Sequence, residues 1–456
     1  MSRVMTIAIP FAALLVSGAA LCYSTNALAA LAADAQRGEK LVEHPVPGRK
    51  SEVCVIPKHF PNAVYSDADL KAEGQLCDID ENSNAAVCPK TNSTNPGLDF
   101  YSLAQGSTSK GIVSVNCKKP GAKKIAKYKL STSCSYTPSI LGYYHVAGML
   151  GGIANVPPAV LRTFDLQNHI ALGRFALGET VQSALIHQTW ASLMAQLTAG
   201  ARASRRDLLL TDDFTQSYGA LSVNPRQEQF YKDFFNGGAN NIGRAANFRD
   251  KNPIMALLSR SGDISAAVGR TFNVENVQKM VQLRDAANLI IIDTLMNQQD
   301  RFGNIHYIES YYYLDSKDAN SDGTPKLKWK PKLKSDQAPP ANSLVIKEMM
   351  LKDNDCGVAK QNLAKQAGLA RRLGHIDPAT YYRILQFDAI ADSPSTKQFF
   401  TEELLFTSRD YVSVRGNLRE LAANLHQACL QGKLKLDLDL PAHFSSVPLK
   451  PRRCEL

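Results

Sequence analysis

The chain has 456 residues, with 52 Lys and Arg against 42 Asp and Glu, a net charge of +10 at neutral pH. Its 44% hydrophobic and 21% charged residues are the usage of a folded globular protein and exclude an intrinsically disordered one. Its 28 Gly and 22 Pro, without period, exclude a fibrous chain. At roughly 100–200 residues per domain, the length gives two or three compact units or one large bilobal one.

The first residues read as a targeting signal. Arg3 precedes an apolar run from Thr6 to Leu21, and Ala27-Leu28-Ala29 supplies small residues around a cleavage point. The expectation is a secretory signal peptide over residues 1–29, hence an exported, periplasmic or secreted protein without a transmembrane segment in its mature form. Of nine cysteines, Cys22 falls in this segment. The other eight, Cys54, Cys77, Cys88, Cys117, Cys134, Cys356, Cys429 and Cys454, are an even number in an exported chain, the signature of disulfides. Cys-x-x-Cys pairs are absent, which argues against structural zinc.

Residues 30–99 carry Pro, Asn and Asp punctuation and little periodicity, so a loop-rich segment stapled by disulfides is expected. From 100 to 225 the pattern predicts a small lobe. Residues 99–103 and 111–115 flank a Gly/Ser turn as a hairpin, and 124–130 reads as a third strand. An apolar helix over Ile140–Leu150 follows, stopped by Pro157-Pro158, and an amphipathic helix over Glu179–Leu197. From 226 to 440 the chain is mainly helical, leaving 441–456 as a tail. The helix over Val274–Met296 is apolar nearly all round and belongs in the core. Ile305–Leu314 and Leu344–Leu351 read as strands, with a polar, solvated loop over Asp315–Ser343 between them. A last helix repeats Val414, Leu418, Leu421, Leu425 and Cys429 at helical steps and stops at Gly432.

The most informative residues leave the core helix. Asn297-Gln298-Gln299-Asp300-Arg301-Phe302-Gly303-Asn304 carries amides and a carboxylate into the first strand, and the return strand ends in Lys352-Asp353-Asn354-Asp355-Cys356-Gly357. Two acidic loops leaving adjacent strands are what phosphoryl transfer needs. One Asp orients the attacking hydroxyl, an Asn a few residues on holds a divalent cation, and a second Asp binds the metal that bridges the nucleotide phosphates.

Asp300-Arg301 with Asn304, followed by Asp353-Asn354-Asp355-Cys356-Gly357, resembles the atypical kinases of the secretory pathway (Golgi casein kinase and four-jointed types), the phosphatidylinositol kinases and the HipA-like kinases. Tyr144-His145-Val146-Ala147-Gly148-Met149-Leu150-Gly151 with Val156-Pro157-Pro158 resembles the small-lobe helix of the secretory branch. The resemblance runs from about residue 100 to 430 and implies an α+β, bilobal protein-kinase-like fold. Its small antiparallel β lobe would sit on a larger, mainly helical lobe. It further implies an exported phosphotransferase that moves the γ-phosphate of ATP, with Mg²⁺ or Mn²⁺, to a hydroxyl of a protein or glycan. In this reading Asp300 is the catalytic base, Asn304 a metal or phosphate-loop partner, and Asp353 or Asp355 the metal ligand. Lys129 is the strand lysine on the phosphates, with Lys127 as second choice, and Gly106 to Gly111 cover the phosphates through backbone N–H groups.

Three departures open a second expectation, a nucleotide-binding regulatory pseudokinase. No acid occurs near 139–142 to anchor the strand lysine, the Asp300–Asn304 spacing is one residue short, and Phe302 replaces the common His.

Other features read as background. Lys326, Lys328, Lys330, Lys332 and Lys334 suggest a solvated loop or an anionic surface contact, and no aromatic-basic motif supports nucleic-acid binding. Asp318–Gly323 opens like a calcium loop but lacks its closing Glu. His145 is expected to be a hydrogen-bonded core residue, and Asp293 a buried group orienting the Asp300 loop.

Overall fold

The computed structural model describes residues 38–103, 122–225, 227–319, 323–333, 338–445 and 452–455. The signal-peptide segment, the strand expected at 111–115, Gly106, Gly111, Cys117, Lys334 and the middle of the 318–323 segment lie outside them.

The small lobe is built on an antiparallel sheet of seven strands: β1 (Lys40–His44), β2 (Glu52–Ile56), β3 (Ala85–Pro89), β4 (Gly97–Ser102), β5 (Lys123–Lys129), β6 (Ala159–Asp165) and β7 (Gln216–Val223). They lie in the order β1-β2-β6-β7-β5-β4-β3. Residues 30–99 are therefore not loop-rich: four of the seven strands and helix α1 (Asp67–Cys77) come from this region. The strands are five or six residues long. β2 and β3 are buried along their whole length, so neither shows the polar alternation that marks a half-exposed strand.

Side chains alternate across this sheet, and the alternation decides which residues reach the other lobe. Phe100, Tyr128, Val160 and Leu221 pack on one face with α3 (Leu166–Glu179) and α4 (Ala184–Ala199). Val55, Leu161 and Ala220 pack on the opposite face with α2 (Thr137–Met149). The parity that sends Tyr128 to the α3–α4 face sends Lys127 and Lys129 to the α2 face. α2 is buried at every residue, between sheet and large lobe, which is why its sequence is apolar on all sides. The single helix expected over 179–197 is interrupted, because α3 ends at Glu179 and α4 starts at Ala184.

The large lobe contains α5 (Asn241–Lys251), α6 (Pro253–Leu258), α7 (Val274–Leu295), α8 (Pro378–Ile390) and α9 (Ser408–Leu430). It also carries a second antiparallel sheet of β8 (Gln229–Phe230), β9 (His306–Ala319), β10 (Pro325–Pro331) and β11 (Leu344–Met350). α7 is the axis of this lobe: it is buried continuously from Asp285 to Leu295 and packs on α6, α9 and β11. The polar stretch 315–343 holds a strand rather than a free loop. Lys326, Lys328 and Lys332 of this stretch pair with Asp318, Asp315 and Glu309 of β9, and Lys330 lies over the Tyr311 ring. Leu327, on the alternate side, is buried. The lysine row is thus largely neutralised by its own neighbour strand.

Disulfides join Cys54 to Cys77, Cys134 to Cys356 and Cys429 to Cys454, and Cys88 is also disulfide-bonded. The first ties α1 to β2 and the third ties α9 to the C-terminal residues. The second links the two lobes. Among the described residues, no helix is long and apolar enough to cross a membrane.

Candidate active site

α7 ends at Leu295 and is capped by Met296, and Asn297 follows in the left-handed region with φ +53°. Asparagine tolerates that conformation, and its side chain is put to use. Asn297 Nδ2 donates to Val358 O (2.7 Å) and Ser413 Oγ (2.9 Å), and its Oδ1 accepts from Asn362 (2.9 Å) and Asn417 (2.8 Å). The loop after α7 is thereby fixed to the loop after β11 and to α9. Backbone bonds reinforce the junction, from Gln299 N–H to Cys356 O (3.1 Å) and from Val358 N–H to Met296 O (2.6 Å).

Arg301 completes it. The guanidinium is 1% exposed, donates to Asp293 Oδ2 (2.9 Å) and Oδ1 (3.2 Å), and reaches Lys352 O (2.8 Å) and Asn354 Oδ1 (2.6 Å). Tyr143 of α2 donates to the same Asp293 (2.8 Å). Asp293 is accordingly the buried orienting group expected from its place in an apolar helix. His145, fully buried, is hydrogen-bonded to Tyr65 (2.9 Å), and burial pushes its pKa down to about 3.

The two loops, far apart in sequence, therefore converge. Against them β5 delivers Lys129, whose Nζ lies 2.8 Å from Asp355 Oδ2 and 3.4 Å from Asp353 Oδ1. Burial works against the ammonium, but the two carboxylates prevail and hold its pKa above the ordinary lysine value. Burial likewise opposes the Asp353 anion. Lys129, Lys127, Lys90 and Lys352 outweigh it and hold that carboxyl well below the usual range. Lys127 shares the face with Lys129. Burial, aided by Lys352, Lys90 and Lys129 nearby, pushes it down to about 8 despite Asp353.

Asp300 sits beside this cluster. Its Oδ1 accepts from Asn241 Nδ2 (3.0 Å), and burial, with the Asp355 charge, raises its pKa. Asn304 Nδ2 closes the turn by donating to Asp300 O (3.1 Å), so its amide oxygen is the group left to offer a cation. Asp353 adopts φ +55° and Val358 φ +61°, an outlier for a β-branched residue. Strain of this kind is tolerated where surrounding contacts impose it, and it concentrates at functional sites. Gly357 is required by close approach: a Cβ there would lie 2.6 Å from Ser139 Oγ and 2.9 Å from Met296 O.

Where the resemblance places a helix acid, this chain has Ser139, which donates to Asn354 O (2.6 Å). α2 thus holds the loop after β11 by its backbone and supplies no carboxylate to Lys129. The carboxylates on Lys129 come from that loop itself.

Sequence reasoning missed the loop between β3 and β4. In the sheet register Gly97 pairs with Lys129, whereas Ser102 pairs with Lys123 at the far end of β5. The β3–β4 loop therefore opens beside the lysine. Asn95 in that loop donates to Asp355 Oδ2 (3.2 Å). The available signal was Asn92-Ser93-Thr94-Asn95-Pro96-Gly97, turn chemistry that reads as punctuation until the flanking strands are recognised.

With Lys129 paired in this way, the space among Lys127, Lys129, Lys352, Asp353 and Asp355 is about 30 Å³, room for water rather than for a nucleotide. A larger cavity of about 1480 Å³ lies beyond Pro157, Val223 and Pro225, and none of Lys129, Asp300, Asp353 and Asp355 lines it.

The fold is similar to that of the Golgi casein kinase. One crystal structure of that kinase matches over 81% of this chain and 77% of its own at 12% identity and a TM-score of 0.42. A second, with Mn/ADP bound, matches over 83% and 78% at 14% identity and a TM-score of 0.41. No family model matches the sequence, nor does any curated protein. At that identity and superposition the likeness carries none of the chemistry, which rests on the loops themselves.

Proposed function

We propose that the protein is an exported, ATP-dependent phosphotransferase acting on a hydroxyl of a protein or glycan. The observation that carries this reading is the convergence of Lys129, Asp353, Asp355 and Asp300 from three separate segments. Each side chain has a distinct chemical environment.

Asp353, Asp355 and the Asn304 amide oxygen would supply oxygen donors suited to a hard cation such as Mg²⁺ or Mn²⁺. The cation, when bound, neutralises charge on the phosphates. Lys129 already occupies the carboxylates as an internal cation, so nucleotide entry is an exchange in which its ammonium trades Asp353 and Asp355 for phosphate oxygens. Lys127 and Lys90 add positive charge to the same wall, and the Asn95 loop is placed to cover it. Asp300, its pKa raised by burial, is suited to take the proton of the attacking hydroxyl. Arg301 and Asn297 touch neither reactant and act as positioning residues.

A second reading, a nucleotide-binding regulator without transfer, is favoured by one observation. With no acid on α2, Lys129 is held by the metal loop and the cleft is nearly filled. Thermal-shift titration with ATP and Mn²⁺, followed by a radiolabelled phosphate-transfer assay, separates the two. Transfer that is lost in a folded Asp300→Ala variant supports the enzyme. Nucleotide stabilisation without transfer supports the regulator, and transfer unchanged in Asp300→Ala discards the assignment.

A further inference from the structure

The link between Cys134 and Cys356 stands inside the site, and phosphate transfer makes no use of it. Cys134 lies five residues after Lys129, in the loop that leads from β5 to α2, and Cys356 directly follows Asp355. The two sulfurs and an Asp300 carboxylate oxygen all lie within 4.8 Å of one another. Asn95 brings its amide to the same place, with Nδ2 3.3 Å and Oδ1 3.5 Å from Cys134 Sγ. The other carboxylate clusters are filled by protein cations: Glu52 and Glu81 by Arg162, Asp315 and Asp318 by Lys328. Asp300 differs, for it accepts a hydrogen bond from Asn241 and has no ion pair among the described residues.

We infer that Cys134, Cys356 and Asp300 form a site for a thiophilic divalent cation, Zn²⁺ or Cd²⁺, that opens when the Cys134–Cys356 disulfide is reduced. Two sulfurs and a carboxylate oxygen are a donor set zinc accepts. Zn–S bonds near 2.3 Å and Zn–O bonds near 2.0–2.2 Å put tetrahedral ligand atoms about 3.4–3.8 Å apart, so the two sulfurs, bonded to each other in the oxidised chain, separate on reduction to take that spacing. The Asn95 amide oxygen or a water supplies the fourth position. Cys134 and Asp300 are half-buried, which leaves an approach from solvent, whereas Cys356 is buried.

The chemistry balances with an external dithiol as reductant. The dithiol gives two electrons and two protons and closes to its own disulfide, while the Cys134–Cys356 bond breaks to two thiols. Binding of the cation then releases both thiol protons to solvent, and two thiolates and the Asp300 carboxylate hold the metal. In the oxidised chain the sulfurs are bonded to each other and Asp300 is free to work. In the reduced, metal-bound chain Asp300 is sequestered. The site is thus a thiol-gated block on the residue assigned the proton transfer, but binding itself does not require that the protein be a kinase.

The test uses the full mature chain. Peptide mapping of the oxidised protein should recover the Cys134–Cys356 link; free thiols at both positions would overturn the proposal. The protein is then reduced with a dithiol, freed of excess reductant without air, and titrated with Cd²⁺ while thiolate-to-metal charge-transfer absorption is read. The Cys134→Ser/Cys356→Ser double variant should lose one equivalent of tight binding. The other cysteine pairs remain as a common background. Asp300→Asn leaves the disulfide intact and covers the case in which the double variant fails to fold. Outer-shell partners alone are worth about 10–100-fold in metal affinity, so losing a direct ligand should weaken binding at least that much. Equal Cd²⁺ uptake by a folded double variant, or unchanged affinity in Asp300→Asn, would overturn the site whatever the outcome of the phosphate-transfer assay.

Discussion

Replacing Lys129 by Met keeps most of the side-chain volume and removes only the ammonium. In the native chain that ammonium has a side-chain exposure of 8% and neutralises Asp355 (3%) and Asp353 (27%). Removing one partner of a buried ion pair leaves uncompensated charge and costs about 3–5 kcal/mol. With an unfolding entropy of about 2.1 cal/mol/K per residue over a chain of this length, that is a fall in Tm of roughly 3–5 °C. The variant also differs in kind from an ordinary core defect, because the two carboxylates it frees are the proposed metal ligands. Mg²⁺ or Mn²⁺ should restore stability, by about 2.7 kcal/mol at one hundred times its Kd. Differential scanning calorimetry with and without the cation measures both effects. Lys129→Met with wild-type Tm, or a variant that gains no more from the metal than the wild type does, would refute the exchange of one cation for another.

Two further outcomes follow from the same geometry. Gly357→Ala forces a Cβ against Ser139 Oγ, Met296 O and the Tyr143 ring. It should cost about 1–3 kcal/mol of stability in denaturant titrations, together with phosphate transfer; a variant of wild-type stability would show that the loops are not packed as described. Lys127 titrates in the folded chain near 8, against 10.5 as its ordinary value. Below pH 8 folded and unfolded chains both carry the proton. Between about 8 and 10.5 only the unfolded chain does, so this group's contribution to stability rises with pH across that window. Nucleotide affinity should move the other way, bending downward above pH 8 as the charge is lost, and Lys127→Arg should remove the bend. A wild-type affinity profile without that break would take Lys127 out of the phosphate site.

What the sequence disclosed, and what it hid, follows from which contacts are local. α7, α9 and the β9–β11 pair were readable because helical and strand periods survive in long elements. The Asp300 and Asp353–Asp355 loops stood out because they leave those elements directly. The β1–β4 region was misread as loop because its strands are short and β2 and β3 are buried throughout, so neither hydrophobic alternation nor length distinguishes them. β10 was hidden by its charge: Lys326, Lys328 and Lys332 read as a solvated run until Asp315, Asp318 and Glu309 on the neighbouring strand provide their partners. Lys129 was singled out by the resemblance, with Lys127 as second choice, but its partners were not legible. The bond from Ser139 to Asn354, the pairing of Lys129 with Asp353 and Asp355 and the arrival of Asn95 at Asp355 all depend on contacts between segments hundreds of residues apart.

The account depends most directly on whether the paired carboxylates accept a cation together with a nucleotide. Isothermal titration of the protein with ATP, in the presence and absence of Mn²⁺, measures this. The prediction is one binding site that requires the cation and is abolished in Asp353→Asn/Asp355→Asn while the fold is retained. Binding of equal strength without metal, or binding that survives in the folded double variant, would contradict it.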